Sequence, residues 1–202
     1  MKLMTTRIIL ATRNRHKLQE FRDMLRGLDI EILSCNAFAG CPDVVEDGAT
    51  FADNALKKAR AIARHTGHVT IADDSGLEVD ALGGLPGLYS ARFAGEPADD
   101  RRNNEKLLRE LARVPDEKRG AQFRCVIAIV DSRGREKVVE GIYRGVIIRE
   151  LKGVQGFGYD PLFVDTVSGL TFAEMAAEHK NSISHRCRAI QELKKILPEF
   201  IA

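Results

Sequence analysis

The sequence predicts an α/β fold, a mixed sheet flanked by helices, and three observations carry that reading. Strand-length apolar runs alternate with amphipathic helical segments through the first third of the chain, which is the signature of strand-helix-strand units. Two long β-branched patterns follow in the second half across a short turn, adding an antiparallel pair to the sheet. With 202 residues, 44% of them apolar, the chain buries a sizeable core, either as one α/β domain or as two closely joined lobes.

Residues 7–12, RIILAT, read as a buried strand. Asn14 then opens a helix whose Leu18, Phe21, Leu25 and Leu28 share one face. A second strand, IEILSC, precedes a loop rich in Gly, Pro and Asp, and a helix from Thr50 turns Phe51, Ala55, Ala59, Ile62 and Ala63 inward until Gly67 ends it. Strand HVTIA is expected to run out at the acidic pair Asp73-Asp74, after which a Gly/Pro-rich passage to about Gly95 reads as ordered loop with short pieces of structure. Residues 98–113 form a charged helix with Leu107, Leu108 and Leu111 inward, stopped by Pro115. FRCVIAIVD and KVVEGIYRGVIIRE pair as a hairpin around Ser132-Arg133-Gly134. The last third holds GFGYDPLF, a capping box at Thr171 and Glu174, and a final helix with Ile183, Cys187, Ile190, Leu193 and Leu197 inward.

Charge and cysteine use exclude several classes. Thirty-one basic against twenty-nine acidic residues leave +2, so no field over the whole molecule draws in long nucleic acid or an anionic membrane. Any anion site must be local. Aromatics are only 6% and lack the spacing of single-strand stacking platforms. No run of eighteen apolar residues occurs, and the first apolar stretch is interrupted by Arg7, so neither a membrane span nor an export signal is expected. Cys35, Cys41, Cys125 and Cys187 form no CxxC pair and read as reduced thiols of a cytoplasmic protein.

Five stretches carry the residues able to do chemistry. ATRNRHK sets a strand end, a turn and a helix start in succession; first-turn N–H groups and Lys17 suit phosphate, although an ordinary Asn14 cap would look the same. EDGATFADNALKKA places Glu46 ahead of a helix on which Asn54 and Lys58 lie one turn apart, so that a carboxylate, an amide and an ammonium can converge; helix-dipole complementation by solvated residues is the bland alternative. In TIADDSGLEVDALGGLPG, Asp73 and Asp74 repel unless a cation or solvent separates them. Hard oxygens without His or Cys point to Mg²⁺ shared with substrate phosphates, against a solvated Asp-Ser-Gly turn. Strand alternation sends the two aspartates to opposite faces, leaving open which of them is nearer an attacking water. GFGYDP offers Phe157 to stack on a flat ring beside permissive glycines, or an aromatic packed under a turn. EHKNSISHRCRA puts Lys180, Ser184, His185 and Arg186 at a helix mouth, where cations oppose the dipole and an acceptor-rich ligand would suit them. Together these imply Mg²⁺, a phosphate chain and a planar base.

The ordered series TxNxxK (Thr12 to Lys17), ExGxTFxxNAxxKA (Glu46 to Ala59), ADDSGLxVDxLGGxPGxYSAR (Ala72 to Arg92), GFGYDP (Gly156 to Pro161) and SHR (Ser184 to Arg186) resembles the inosine/xanthosine triphosphate pyrophosphatase family over nearly the whole chain. That resemblance implies one catalytic domain over 1–202 with two lobes around a central nucleotide cleft, usually a homodimer. It also implies Mg²⁺-dependent hydrolysis of dITP/ITP and XTP/dXTP to the monophosphate and pyrophosphate. Carried over, Asp74 is the general base, Glu46 and Asp74 bind metal with Asp73 as a third candidate, and Asn14, Lys17, Lys58 and Ser75 contact the triphosphate beside Thr12 and Arg13. Phe157, Asp160, Lys180, His185 and Arg186 form the base pocket, with Gly158, Tyr159 and Ser184 in the same substrate-binding set. Arg13 stands where the family often has glycine, and a tryptophan that some members carry ahead of GFGYDP is absent. A pyrophosphatase for pyrimidine or modified nucleotides, and a nucleotide-sensing module without turnover, are the competing readings.

Overall fold

The computed structural model describes residues 6–201. Six strands form one sheet in the order β2-β1-β3-β4-β5-β6: β1 Thr6–Leu10, β2 Ile30–Ser34, β3 Val69–Val79, β4 Gly120–Val130, β5 Glu136–Ile147 and β6 Phe163–Val164. β1 runs parallel to β2 and to β3, whereas β5 and β6 are antiparallel. The parallel neighbours need helical crossovers, supplied by α1 (Arg15–Met24) and α2 (Phe51–Thr66). Only the few residues Asp131–Arg135 join β4 to its neighbour β5, too short a link for a parallel crossover, so this pair is the expected hairpin. Asp131 closes its turn, its Oδ1 accepting from the N–H groups of Arg133 and Arg135.

The remaining helices are α3 (Asp100–Glu110), α4 (Ala177–Ile183), α5 (His185–Ile196) and α6 (Pro198–Ile201). No helix among the described residues is long and apolar enough to cross a membrane. The four cysteines are free thiols.

The chain divides into two compact units. Unit 1 holds the chain up to Asp74, Cys125–Gly141 and everything from Cys187; unit 2 holds Ser75–Arg124 and Ile142–Arg186. Each has its own core. In unit 1, β1, α1, β3, β4 and α5 bring together Ile8, Leu10, Phe21, Ile71, Ile127, Ile190 and Leu193. In unit 2 Leu77, Leu107, Phe123, Phe163 and Phe172 form an aromatic-rich core, with Phe163 and Phe172 tilted at a centroid distance of 4.9 Å. Arg119, fully buried in unit 2, donates to the carbonyl oxygens of Leu111, Ile147 and Ile148, which pins the end of α3 to the end of β5.

Four local expectations change. β3 does not stop at the acidic pair: it continues through Ser75-Gly76-Leu77-Glu78 to Val79, with Leu77 and Val79 fully buried. Asp, Ser and Gly are poor strand formers, but burial of the alternate apolar residues outweighs that preference. α1 ends at Met24, leaving Leu28 40% exposed rather than inward. The single final helix is broken at Ser184, an extended residue between α4 and α5, so Ile183 packs on the unit 2 core while Ile190, Leu193 and Leu197 pack in unit 1. Thr171 and Glu174 do exchange capping-box hydrogen bonds, yet they close a turn rather than start a helix, and α4 begins only at Ala177.

Candidate active site

Unit 1 gathers the carboxylate and lysine residues. The capping box of Thr50 and Asp53 fixes where α2 starts, and the helical period then sets Asn54 and Lys58 one above the other on its buried face. Lys58 Nζ donates to the Asp73 carbonyl at 2.8 Å and to Glu46 Oε2 at 3.0 Å, and lies 3.5 Å from Asp74 Oδ1. Asn54 Nδ2 donates to Asp74 Oδ2 at 3.0 Å, while Asn54 Oδ1 accepts from the Gly48 N–H at 2.8 Å. A Cβ on Gly48 would sit 2.7 Å from Asp53 Cβ and 2.8 Å from Asn54 Oδ1, so the loop carrying Glu46 reaches α2 only with glycine there.

The two aspartates are buried rather than splayed into solvent, Asp73 1% and Asp74 8% exposed, and each has its own partner. Asp73 Oδ2 is 2.8 Å from Lys17 Nζ. Asp74 instead feels the charge of Glu46 and lies within reach of Lys58. Burial is the largest influence on Asp74 and, with the Glu46 charge, pushes its carboxyl up to about 6 against the pull of Lys58 and Lys17. Burial also opposes ionisation of Glu46, but Lys58, by charge and hydrogen bond, holds it below the ordinary carboxylate range. The desolvated Lys58 is kept charged by Asp74, Glu46 and Asp73, which raise it above the usual lysine value. Asp74 is therefore the member of the pair that takes the proton.

At the turn from β1 to α1, Asn14 is the helix cap that the sequence allowed for. Asn14 Oδ1 accepts from the N–H groups of His16 and Lys17, so two first-turn donors expected to face phosphate are engaged by the cap itself. Thr12 Oγ1 accepts from the Asn14 N–H. Arg13 pairs with Asp43 at 3.6 Å on the surface, and no described non-glycine residue has a positive φ, so replacing glycine by arginine leaves this turn without left-handed strain.

Unit 2 gathers the aromatic and basic residues. Asp160 Oδ2 accepts from the Phe157 N–H at 2.9 Å and from Lys180 Nζ at 2.5 Å. A Cβ on Gly156 would lie 2.0 Å from that same oxygen, which makes glycine obligatory at this close approach. Lys180 Nζ stands 5.0 Å and Arg186 Cζ 5.8 Å from the Phe157 ring centroid, close enough for cation–π attraction. Both cations are buried. Arg186 donates to Ser75 Oγ at 3.4 Å, which brings Ser75 beside Arg186. His185 stacks on Phe123, centroids 4.7 Å apart and planes within 15°. Ser184 is buried, and its N–H closes α4 on the Lys180 carbonyl. Tyr159 donates its hydroxyl to the Ser90 carbonyl at 2.8 Å in the unit 2 core, which anchors the loop.

Asn54 supplies the amide expected to converge with Glu46 and Lys58, and two further residues were given no role by the sequence. Asn54 ties Gly48 to Asp74; the four-residue spacing to Lys58 was a signal for it. Asp100 and Asn104 bracket Gly158, Asp100 Oδ2 accepting its N–H at 2.7 Å and Asn104 Nδ2 donating to its carbonyl at 2.8 Å. Nothing in the sequence pattern of α3 marks them.

Among the described residues no three His, Cys, Asp or Glu side chains cluster as a closed metal site. The Glu46–Asp74 pair nevertheless suits a hard divalent ion: a buried carboxylate beside a partly exposed one, with no soft donors, where a ligand's oxygens and water could complete the shell.

The profile of the Ham1 family matches residues 8–196, a span that includes every residue of both clusters. The dITP/XTP pyrophosphatase of Desulforamulus reducens is 54% identical over 191 residues, 95% of each chain. The solved HAM1 protein of Coxiella burnetii superposes with a TM-score of 0.87 at 40% identity, covering 96% of this chain and 99% of that one. The Ham1 protein of Staphylococcus aureus gives 0.85 at the same identity and coverage. Family profile, near-full-length identity and superposition agree, and the chain belongs to the Ham1 family.

Proposed function

We propose that this protein hydrolyses deaminated purine nucleoside triphosphates, dITP/ITP and XTP/dXTP, to the monophosphate and pyrophosphate with Mg²⁺, residues 1–202 acting as one catalytic domain. The observation that carries the reading is the convergence of buried Asp74 and partly exposed Glu46 on Lys58, with Asn54 bracing Asp74. Relatives named dITP/XTP pyrophosphatase at up to 54% identity support it.

Glu46 and Asp74 would hold the metal, which when bound supplies positive charge that stabilises pyrophosphate as a leaving group. Asp74, raised towards neutrality yet ionised at pH 7, takes the proton of the water attacking the α-phosphorus. As the new P–O bond forms, the electron pair of the α–β bridge leaves with pyrophosphate. Lys58 and Lys17 keep the carboxylates ordered and add positive charge for the phosphate chain, beside Thr12, Arg13 and Asn14. Phe157 stacks on the base. Lys180 and Arg186 present donors to O6 of hypoxanthine or xanthine, an acceptor where adenine carries an amino donor. A donor left unpaired costs about 1–3 kcal/mol, or roughly ten- to hundredfold discrimination per contact. Ser75, Asp160, Ser184 and His185 support that group, with Gly158 and Tyr159 shaping its loop.

We also assign the protein to the cytoplasm as a homodimer, the latter testable by light scattering. The decisive assay incubates purified protein and Mg²⁺ with ITP, XTP or ATP and resolves pyrophosphate from orthophosphate. Pyrophosphate from ITP and XTP, with ATP spared, is expected. Orthophosphate release or equal use of ATP would overturn the assignment.

A further inference from the structure

The GFGYDP loop is a tight turn held from inside by Asp160, yet its midpoint is held from outside. Gly158 adopts φ +62, and both polar groups of its backbone are taken by α3. Asp100 and Asn104 are four residues apart, hence on one helix face, and they grip opposite sides of the same glycine. Asp100 in the first turn of a helix would ordinarily be read as a dipole partner. Here it also accepts the Gly158 N–H at 2.7 Å.

Asn104 shows a second sign of constraint. Its Nδ2 donates to Gly158 O at 2.8 Å and to Asp100 O at 2.9 Å, whereas its buried Oδ1 takes no hydrogen bond among the described residues. Reversing the amide would aim that oxygen at two carbonyls. The orientation is thus imposed by the demand for donors, and the buried acceptor goes unsatisfied at a cost that few native side chains carry. The glycine so clamped is the immediate neighbour of Phe157, whose ring lies within cation–π range of Lys180 and Arg186.

We propose that Asp100 and Asn104 are positioning residues for nucleobase recognition, acting through Gly158 to fix the Phe157 ring against Lys180 and Arg186. This rests on the proposed function. The clamp touches no phosphate-contacting residue of the proposed mechanism, so its loss weakens base binding and leaves the chemical step and phosphate binding alone. A loop freed at Gly158 samples other ring positions, and the fraction of protein competent to stack on a base falls.

The test compares wild type with Asp100→Ala, Asn104→Ala, Phe157→Ala and the two doubles that pair each α3 variant with Phe157→Ala. KM and kcat for ITP are measured beside the inhibition constant of inorganic tripolyphosphate, a probe with no base. Each α3 single variant should raise KM about tenfold, the effect of one lost hydrogen bond, with kcat nearly unchanged and tripolyphosphate inhibition unmoved. Asp100→Asn keeps an acceptor oxygen and should behave as wild type. In the Phe157→Ala background either α3 change should add less than about twofold, because the group it positions has gone. Multiplicative effects in the doubles, or tripolyphosphate inhibition weakening in step with KM, would overturn the proposal by showing a general structural role. Should Asn104→Ala not fold, the exposed Asp100 carries the test alone. A wild type without preference for ITP over ATP refutes the assigned function; an ITP-selective wild type whose KM ignores both α3 changes refutes only the clamp.

Discussion

Replacing Lys58 by methionine tests the electrostatic arrangement of unit 1 without touching a reacting atom. The side chain keeps its bulk but loses the ammonium that faces Glu46, Asp74 and the Asp73 carbonyl. At 9% exposure, solvent replaces little of what is lost. Buried Asp74 and the partly exposed Glu46 beside it then lose their common cation, and one carbonyl loses its donor. Breaking a buried ion pair from one side costs about 3–5 kcal/mol. For a chain of this size each kcal/mol moves Tm by about 2–4 °C, so Lys58→Met should melt about 6–20 °C below wild type. Circular dichroism melts in EDTA measure this. Adding Mg²⁺ should then raise Tm more in the variant than in wild type, since a divalent ion bound only by the folded state replaces part of the missing charge. A variant melting within about 2 °C of wild type in EDTA would mean that Lys58 is not the counter-charge of this pair.

Three further outcomes follow from named contacts. Asp74→Asn preserves the shape of the Asn54 contact but removes the base, so kcat should fall about 10²–10⁴-fold with little change in KM; an equal loss of affinity would leave Asp74 a ligand only. Arg186→Met, which retains bulk at a fully buried site, should erode the ITP/ATP preference about ten- to hundredfold while ITP turnover persists, and an unchanged ratio removes Arg186 from base recognition. Asp165 supplies the pH dependence. Burial opposes its ionisation, but hydrogen bonds from Ser168, Val167 and the Tyr143 hydroxyl overcome this and hold it at about 2, below the ordinary 3.8. A depressed carboxylate stabilises the fold above pH 3.8, and that contribution is lost as pH falls through about 2. Asp165→Asn should therefore cost about 2 kcal/mol at pH 7 and progressively less below pH 4 in urea titrations; a gap that does not narrow on acidification contradicts the assignment.

The elements legible in the sequence are those whose cause is local. The Thr50 start and Gly67 stop of α2 came from capping and a left-handed glycine, and α2 runs between them. Apolar periodicity marked β1, α1 and the two long strands. The continuation of β3 through Asp73-Asp74-Ser75-Gly76 was not legible, because nothing in those residues says that lysines await the carboxylates. The break at Ser184 was hidden for the same kind of reason. Ile183 and Cys187 keep helical spacing across it, and the two helices on either side serve different cores.

For the candidate site, the sequence by itself determined the chemical inventory: two acids at the expected end of a strand, Glu46 ahead of α2, Lys58 one turn from Asn54, an aromatic among glycines, and basic residues near the last helix. Residue type and short spacing suffice for that, since helix and strand periods are local properties. Only the tertiary structure decided the pairings. It gave Asp73 to Lys17, put Asp74 beside Glu46 and Lys58, moved Ser75 to Arg186, engaged the α1 first-turn donors with Asn14, and set α3 against Gly158. Each of these joins groups through side-chain reach and burial, and at such contacts the energy depends on what surrounds the charge, which no single stretch of sequence contains.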